Sequence, residues 1–385
     1  MNFEAIDRKG TYTSKLDDAI NRFGTTDLLP LWVADMDLES PPCVQKRLKK
    51  RAEHPIYGYT EYPAQYRTII KNWIEKRFDY SVDEEWIVPC YGVVPSMNFC
   101  IEAYTKEGDG IIIQTPIYPP FISYVKRRNR KLLDNTLLYK DGKYSIDFDD
   151  FEAKAKEAKM FLFCSPHNPS GRVWDKEELE KIIDICIENN VLIVSDEIHA
   201  DIVYEKSHHI ISTFEKIKDN CVVLNAPSKT FNIAGLNTSY AIIPNSKVRK
   251  EYIYSQDTGG TSCGTPFGIE ALMSAYEDGE EWLEELKVHL KSNIDFVNTF
   301  ILENRLPIHA VKTEGTFLIW LDCSSLGLSQ EDLVKFFVYD AKLGLNDGVS
   351  FGDCGEGFMR LNVGTSKSVI EEAMNRLLNA YRNIV

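Results

Sequence analysis

The stretch Cys221-Val-Val-Leu-Asn-Ala-Pro-Ser-Lys-Thr-Phe-Asn-Ile-Ala-Gly-Leu-Asn237 decides how this chain is read. Cys221 to Leu224 is a short apolar run with the length and β-branching of a buried strand. Ala226-Pro227-Ser228 then breaks the strand and lifts Lys229 out at its end. A lysine there leaves the core and faces a cleft. Its amine loses its proton more readily in a desolvated or already cationic site, and it can then form a Schiff base. Ser228 beside it offers a hydroxyl and a loop amide to an anion. A Ser-Lys pair alone reads as a solvated loop, so the surroundings must decide.

Working outward, the same punctuation recurs. Trp86 to Cys90 reads as a strand, and Tyr91-Gly-Val-Val-Pro-Ser96 opens a helix toward Tyr104. A strand, a glycine and a helix start make an anion site at the amides of Gly92, Val93 and Val94. Ile111 to Gln114 is a strand that ends in Thr115-Pro-Ile-Tyr-Pro-Pro120. Prolines on both sides present Tyr118, a flat phenol able to stack on a heterocycle. Met160 to Cys164 is a strand followed by Ser165-Pro-His-Asn-Pro-Ser-Gly-Arg-Val-Trp174, where two prolines forbid helix around Asn168. A helix, Lys176 to Glu188, leads to the strand Val191 to Ser195 and then Asp196-Glu-Ile-His-Ala-Asp201. An acid at the carboxyl end of a buried parallel strand sits where open α/β sheets bind ligands. Ser239 to Ile243 is a further strand. Residues 109 to 243 therefore alternate strands with helices, the pattern of a mainly parallel sheet.

The flanks are less regular. Residues 1 to 45 lack periodicity but hold Leu31-Trp-Val-Ala-Asp-Met-Asp37. Pro55-Ile-Tyr-Gly-Tyr-Thr60 is turn-rich and aromatic, and a helix is expected from Ala64 to Arg77. Gly259-Gly-Thr-Ser-Cys-Gly264 has no Walker lysine and no preceding strand, so it reads as a flexible loop. Pro266 starts a long helical region to about Glu303, broken near Asp278-Gly279. Beyond it come strand Thr316 to Leu321, helix Ser329 to Ala341, strand Gly357 to Val363 and a final helix from Lys367 to Arg382. Arg360 lies inside an otherwise apolar strand, where a charge needs a partner: a structural carboxylate or a ligand.

A chain of 385 residues suits two packed domains. Its net charge of −14 argues against nucleic acid or an anionic membrane as partner, since both are polyanions. Nine cysteines with no C-x-x-C and no close pair suit free thiols in a reducing cytosol. No basic-then-apolar opening marks a signal peptide, and no apolar run has the length of a membrane span. Glu197, His199 and Asp201 lack a second His or Cys at ligand spacing, so no metal site is expected.

Ser228-Lys-Thr-Phe-Asn-Ile-Ala-Gly-Leu236 closely resembles the cofactor-lysine motif of the pyridoxal-phosphate (PLP) enzymes of the aspartate aminotransferase fold, fold type I. Asn237, His199, Trp32-Val-Ala-Asp-Met-Asp37 and His167-Asn-Pro-Ser-Gly-Arg-Val-Trp174 resemble one branch, the cystathionine β-lyase-type C–S lyases. Many aminotransferases carry an arginine in place of Asn237. The resemblance runs from Trp32 to the last helix. It implies an α/β fold with a large domain built on a mainly parallel seven-stranded sheet, plus a smaller α/β C-terminal domain. The divisions expected are an N-terminal segment over residues 1–45, a PLP-binding domain over 46–285 and the small domain over 286–385.

The same resemblance implies the roles. Lys229 holds PLP and removes the Cα proton, Asp196 keeps the pyridine nitrogen protonated, and Tyr118 stacks on the ring. Gly92, Val93, Val94 and Ser228 hold the phosphate, while Asn168 and His199 flank the ring hydroxyl. Tyr57 reaches the phosphate of the neighbouring subunit, which implies a homodimer with shared active sites. Arg360 forks onto the substrate carboxylate, with Asn168 and the backbone at Ala34 beside it. The implied activity is β-elimination from L-cystathionine or a related S-substituted L-cysteine, giving thiol, pyruvate and ammonia. An aminotransferase would use the same lysine, aspartate and arginine. A third reading is a regulatory or binding protein on this fold.

Overall fold

The computed structural model describes residues 3–261 and 264–384. Among them, seven strands form the main sheet: β1 (Ile87–Cys90), β2 (Gly110–Ile113), β3 (Lys131–Asp134), β4 (Ala158–Cys164), β5 (Leu192–Asp196), β6 (Cys221–Asn225) and β7 (Ser239–Ile242). Their spatial order is β1-β7-β6-β5-β4-β2-β3. All pairings are parallel except those of β7, which lies antiparallel to both β1 and β6.

Apart from the edge strand β3, the strands are largely apolar on both faces, as a sheet covered on both sides requires. In β4, Met160, Leu162 and Cys164 join one buried cluster, while Phe161 and Phe163 join the other. In β6, Val222 and Leu224 alternate with Cys221 and Val223 in the same way. This period of two puts neighbouring side chains on opposite faces. Helices α1 (Pro42–Ala52), α2 (Gln65–Phe78), α3 (Val93–Tyr104), α4 (Pro119–Arg127) and α5 (Lys176–Glu188) include the layers that cover it. The Glu178 carboxylate accepts from the Asp175 amide at 2.9 Å, which stops α5 fraying at its start.

Helix α6 (Pro266–Asp278) and α7 (Glu280–Glu303) meet at Gly279, the break expected near Asp278-Gly279. A second sheet follows, with strands β8 (His309–Ala310), β9 (Leu318–Asp322), β10 (Asn346–Asp347) and β11 (Phe358–Asn362) in the order β8-β9-β11-β10. The final helix α8 spans Lys367–Ile384. No helix among the described residues is long and apolar enough to cross a membrane.

Several expected elements shift by a residue or two at their ends, and three differences have a visible cause. The strand expected from Trp86 begins at Ile87, because Glu84–Trp86 forms a 3-10 turn with the Trp86 ring under the Lys218 ammonium. The strand expected from Thr316 begins at Leu318. Thr316 has φ +71° and its hydroxyl accepts from the Leu318 amide, which closes a turn instead. The helix expected from Ser329 to Ala341 is α-helical only over Gln330–Lys335 and widens into a π turn at Phe336–Asp340. Phe336, Phe337 and Val338 are all buried, and a wider turn keeps three consecutive apolar residues inward. The loop expected at Gly259–Gly264 includes Ser262 and Cys263, which lie outside the described residues.

Candidate active site

The chain turns at the carboxyl ends of five sheet strands, and each turn carries a residue singled out from the sequence. Gly92 follows β1, Tyr118 follows β2, Asn168 follows β4, Asp196 ends β5 and Lys229 follows β6. Parallel strands bring such ends to one edge, where loops can converge on a ligand. They line one cavity with about 210 Å³ open to water, together with Ala34, Val93, Val94, His199, Ser228 and Asn237.

Lys229 sits in the short helix Pro227–Thr230, and its Nζ donates to the Ala34 carbonyl at 2.6 Å. Burial pushes this amine down from 10.5 to about 8, while Asp35 pulls it upward and Arg360 downward. Asp196 is buried and its carboxyl is pushed up to about 7 by that burial. The Ile198 amide, 3.1 Å from Oδ1, and Lys229 act against the shift. His199 is pushed down to about 3 by burial, then by Lys229 and Arg360, and its Nδ1 has no hydrogen-bond partner. Burial also raises the Tyr118 phenol, and Arg360 opposes this.

Arg360 comes from β11 of the other sheet. It donates to Asn168 Oδ1 at 3.0 Å, to the Trp32 carbonyl at 2.9 Å and to Asn346 Oδ1 at 2.6 Å. The Phe351 ring lies 4.9 Å from its guanidinium carbon, and its Nε has no partner. Its hydrogen-bond acceptors are all neutral, so the charge is oriented but not matched by a protein carboxylate. Burial accordingly lowers its pKa to about 10.

The other expectations sort by position. The start of α3 has no side-chain cap, which leaves the first amides after Gly92 available to an anion. Ser228 lines the cavity, and Asn237 donates to the Tyr91 hydroxyl at 3.2 Å. Tyr57 does not line this chain's cavity. It is exposed, its hydroxyl donates to the Ala52 carbonyl at 2.9 Å, and its ring meets Phe267. Glu197 and Asp201 each keep their own partners. Glu197 accepts from Ser195 and the Ile211 amide and pairs with His208, while Asp201 accepts from Thr230 and lies beside Arg77.

Several supporting residues escaped the sequence reading. Asn346 braces Arg360, Asn362 binds the Val33 and Asp35 carbonyls, and Asn232 binds both the amide and carbonyl of Met36. Asn362 closes the otherwise apolar strand that holds Arg360, and that polarity was the one available signal. Asn232 lies in a turn, where asparagine is ordinary, and Asn346 opens the two-residue strand β10, too short to leave a pattern.

An uncapped helix start, a buried carboxylate without a bonded cation, an orphaned imidazole nitrogen and a buried amine share this cavity. A heteroaromatic aldehyde with a phosphate and a ring nitrogen fits that donor set. The fold and the cavity define a PLP-dependent enzyme of fold type I. The chain belongs to the class I and II aminotransferase family, whose model matches residues 26–377. It is 38% identical to cystathionine β-lyase PatB of Bacillus subtilis, over 98% of this chain and 99% of that one. Among solved structures it is similar to cystalysin from Treponema denticola, which contains PLP, at a TM-score of 0.95 and 36% identity over 100% and 99% of the two chains. It is also similar to the PLP-bound C–S lyase of Staphylococcus hominis, at 0.92 and 30% over 100% and 99%.

Proposed function

We propose that this chain is a C–S β-lyase that cleaves L-cystathionine or a related S-substituted L-cysteine into a thiol, pyruvate and ammonia. The observation that carries the reading is the half-buried Lys229 amine, held on the Ala34 carbonyl at 2.6 Å in one cavity with the Asp196 carboxyl. The lyase names of the similar proteins choose between elimination and amino transfer.

Asp196, Tyr118, Asn168, His199, Ser228 and the amides at Gly92, Val93 and Val94 would hold PLP. Once bound, the group supplies an electron-withdrawing heterocycle that takes up charge from the substrate Cα. Arg360 orients the substrate carboxylate through its free edge, with Asn168 and the backbone at Ala34 beside it. Lys229 Nζ accepts the proton from Cα. The Cβ–S bond then breaks with its electron pair on sulfur, and water converts the remaining enamine to pyruvate and ammonia. Burial favours the uncharged form of this amine, as a base requires.

We read the assembly as a homodimer in which Tyr57 of one protomer completes the site of its partner. Ile56, Tyr57 and Tyr59 are 65%, 56% and 105% exposed, an apolar strip that a second copy would cover. The division into residues 1–45, 46–285 and 286–385 and a cytoplasmic setting belong to the same proposal. The test is a panel of thioether amino acids given to PLP-supplemented protein without any keto acid. Pyruvate and thiol release supports elimination, and strict dependence on a keto acid overturns it. Borohydride followed by peptide mapping should tag Lys229, and a tag elsewhere refutes the assignment. Sedimentation as a monomer at assay concentration would overturn the shared site.

A further inference from the structure

The segment Trp32–Asp35 reaches the active site through its backbone. Four consecutive carbonyls are engaged. That of Trp32 accepts from Arg360 at 2.9 Å, Val33 from Asn362 at 2.5 Å, Ala34 from Lys229 at 2.6 Å and Asp35 from Asn362 at 2.7 Å. Two of these acceptors therefore meet the groups proposed to bind the carboxylate and to move the proton. A carbonyl is only as well placed as the chain that carries it, and here two acidic side chains of the same segment tie that chain down.

Arg8 forks onto Asp35 at 2.9 and 2.6 Å and reaches Asp37 at 3.1 Å. Lys15 Nζ lies 2.8 Å from Asp37 and 3.2 Å from Asp35. The Lys15 side chain is only 2% exposed, against 22% for Arg8. Two cations thus balance two anions within one partly buried cluster. Burial by itself would raise the Asp35 carboxyl, but Arg8 and Lys15 hold it below its ordinary value. The Trp32 indole also donates to the Lys15 carbonyl at 3.0 Å, so the strand of charge and the strand of carbonyls are bound to each other.

We propose that Lys15 and Arg8 are positioning residues of the substrate site, which hold Asp35 and Asp37 so that the carbonyls of Trp32 and Ala34 meet Arg360 and Lys229. The proposal rests on the roles given above to Arg360 and Lys229. Both cations act through backbone and touch neither Arg360 nor Lys229 directly. Removing Lys15 leaves two carboxylates sharing one cation away from bulk water, and their repulsion displaces the segment. Arg360 then loses one of its three anchors, and its fork no longer points at a fixed place.

Lys15→Met keeps the length of the stem and removes the charge. The expected result with an S-substituted cysteine is a KM raised about ten-fold as Arg360 loses its Trp32 anchor, with a smaller fall in kcat as Lys229 loses its Ala34 partner. In the apoprotein, amides of residues 31–37 should exchange with deuterium faster than in wild type, with β5 and β6 unchanged. If Lys15→Met fails to fold, Arg8→Gln carries the same two expectations from the more exposed cation. An unchanged KM, or unchanged exchange at 31–37, overturns the proposal even where thermal stability falls. If the wild type releases no pyruvate from any S-substituted cysteine, the proposed activity fails, and the exchange measurement still decides the role of Lys15 and Arg8.

Discussion

Arg360 donates to Asn168 Oδ1 at 3.0 Å, although one residue lies in the second sheet and the other follows a strand of the first. The contact ties the second sheet to a residue that lines the cavity. It also leaves the arginine's charge unspent, since its bonded partners are an asparagine pair and a carbonyl.

An oriented, unmatched guanidinium suits a planar carboxylate, and a lysine does not replace that fork. Arg360→Lys should lower kcat/KM by about 100-fold, roughly 3 kcal/mol, mainly through KM. Steady-state kinetics on the thioether with the highest wild-type turnover check this. A loss confined to kcat would argue that Arg360 does not bind the ground-state carboxylate.

Tyr118 offers the cavity a ring and a hydroxyl, and two substitutions separate them. Tyr118→Phe keeps the ring and should retain cofactor much as wild type does. Tyr118→Ala should loosen cofactor several-fold, for about 1 kcal/mol of lost ring contact. Absorbance after dialysis measures retention. Equal loss from both variants would show that the hydroxyl, not stacking, holds the group.

The buried groups also shape the pH dependence of the apoprotein. Asp196 is raised from 3.8 to about 7, so the folded chain binds more protons than the unfolded chain across that window. Its contribution to stability is full below 3.8 and is lost as pH rises through about 7. His167 and His199 are lowered from 6.5 to about 3, and their contribution is full above 6.5 and lost as pH falls toward 3. Asp196→Asn should therefore make apoprotein stability climb more steeply between pH 4 and 7 than it does in wild type. Urea midpoints across that range read the slope, and identical slopes would contradict a raised Asp196.

Gly348 and Gly355 are packed backbone to backbone. A Cβ on Gly348 would stand 2.1 Å from the Gly355 oxygen and 2.4 Å from the Phe358 oxygen. Backbone cannot step aside as a side chain can, so Gly348→Ala should destabilise by about 1–3 kcal/mol or more. Phe351, under the Arg360 guanidinium, lies in the same turn, so KM should rise as well. Chemical denaturation of the apoprotein together with kinetics checks both effects. A fully stable variant would mean that the turn repacks freely.

Six of the seven strands of the main sheet were legible because burial leaves continuous apolar runs, and prolines and glycines mark where they stop; β3 was not, because this edge strand, Lys131–Asp134, buries little and carries a charge at each end. Lys229, Asp196, Asn168 and Tyr118 were legible for the same reason, since each stands where such a run ends. Boundaries at Trp86, Thr316 and Phe336 were not, because a cation over an indole, a left-handed backbone and a widened turn depend on neighbours from elsewhere in the chain.

Local pattern, together with the motif resemblance, was enough for the class of fold and for the strand-end residues that line the cavity: periodicity, strand breaks and short motifs are properties of a few adjacent residues. Only the folded chain decided that β7 runs against its neighbours, that Arg360 rests on Asn168, Asn346 and the Trp32 carbonyl, and that Arg8 and Lys15 stand behind the Ala34 carbonyl. Those relations join residues far apart along the chain, and they are set by how sheets and helices pack, which no short stretch encodes.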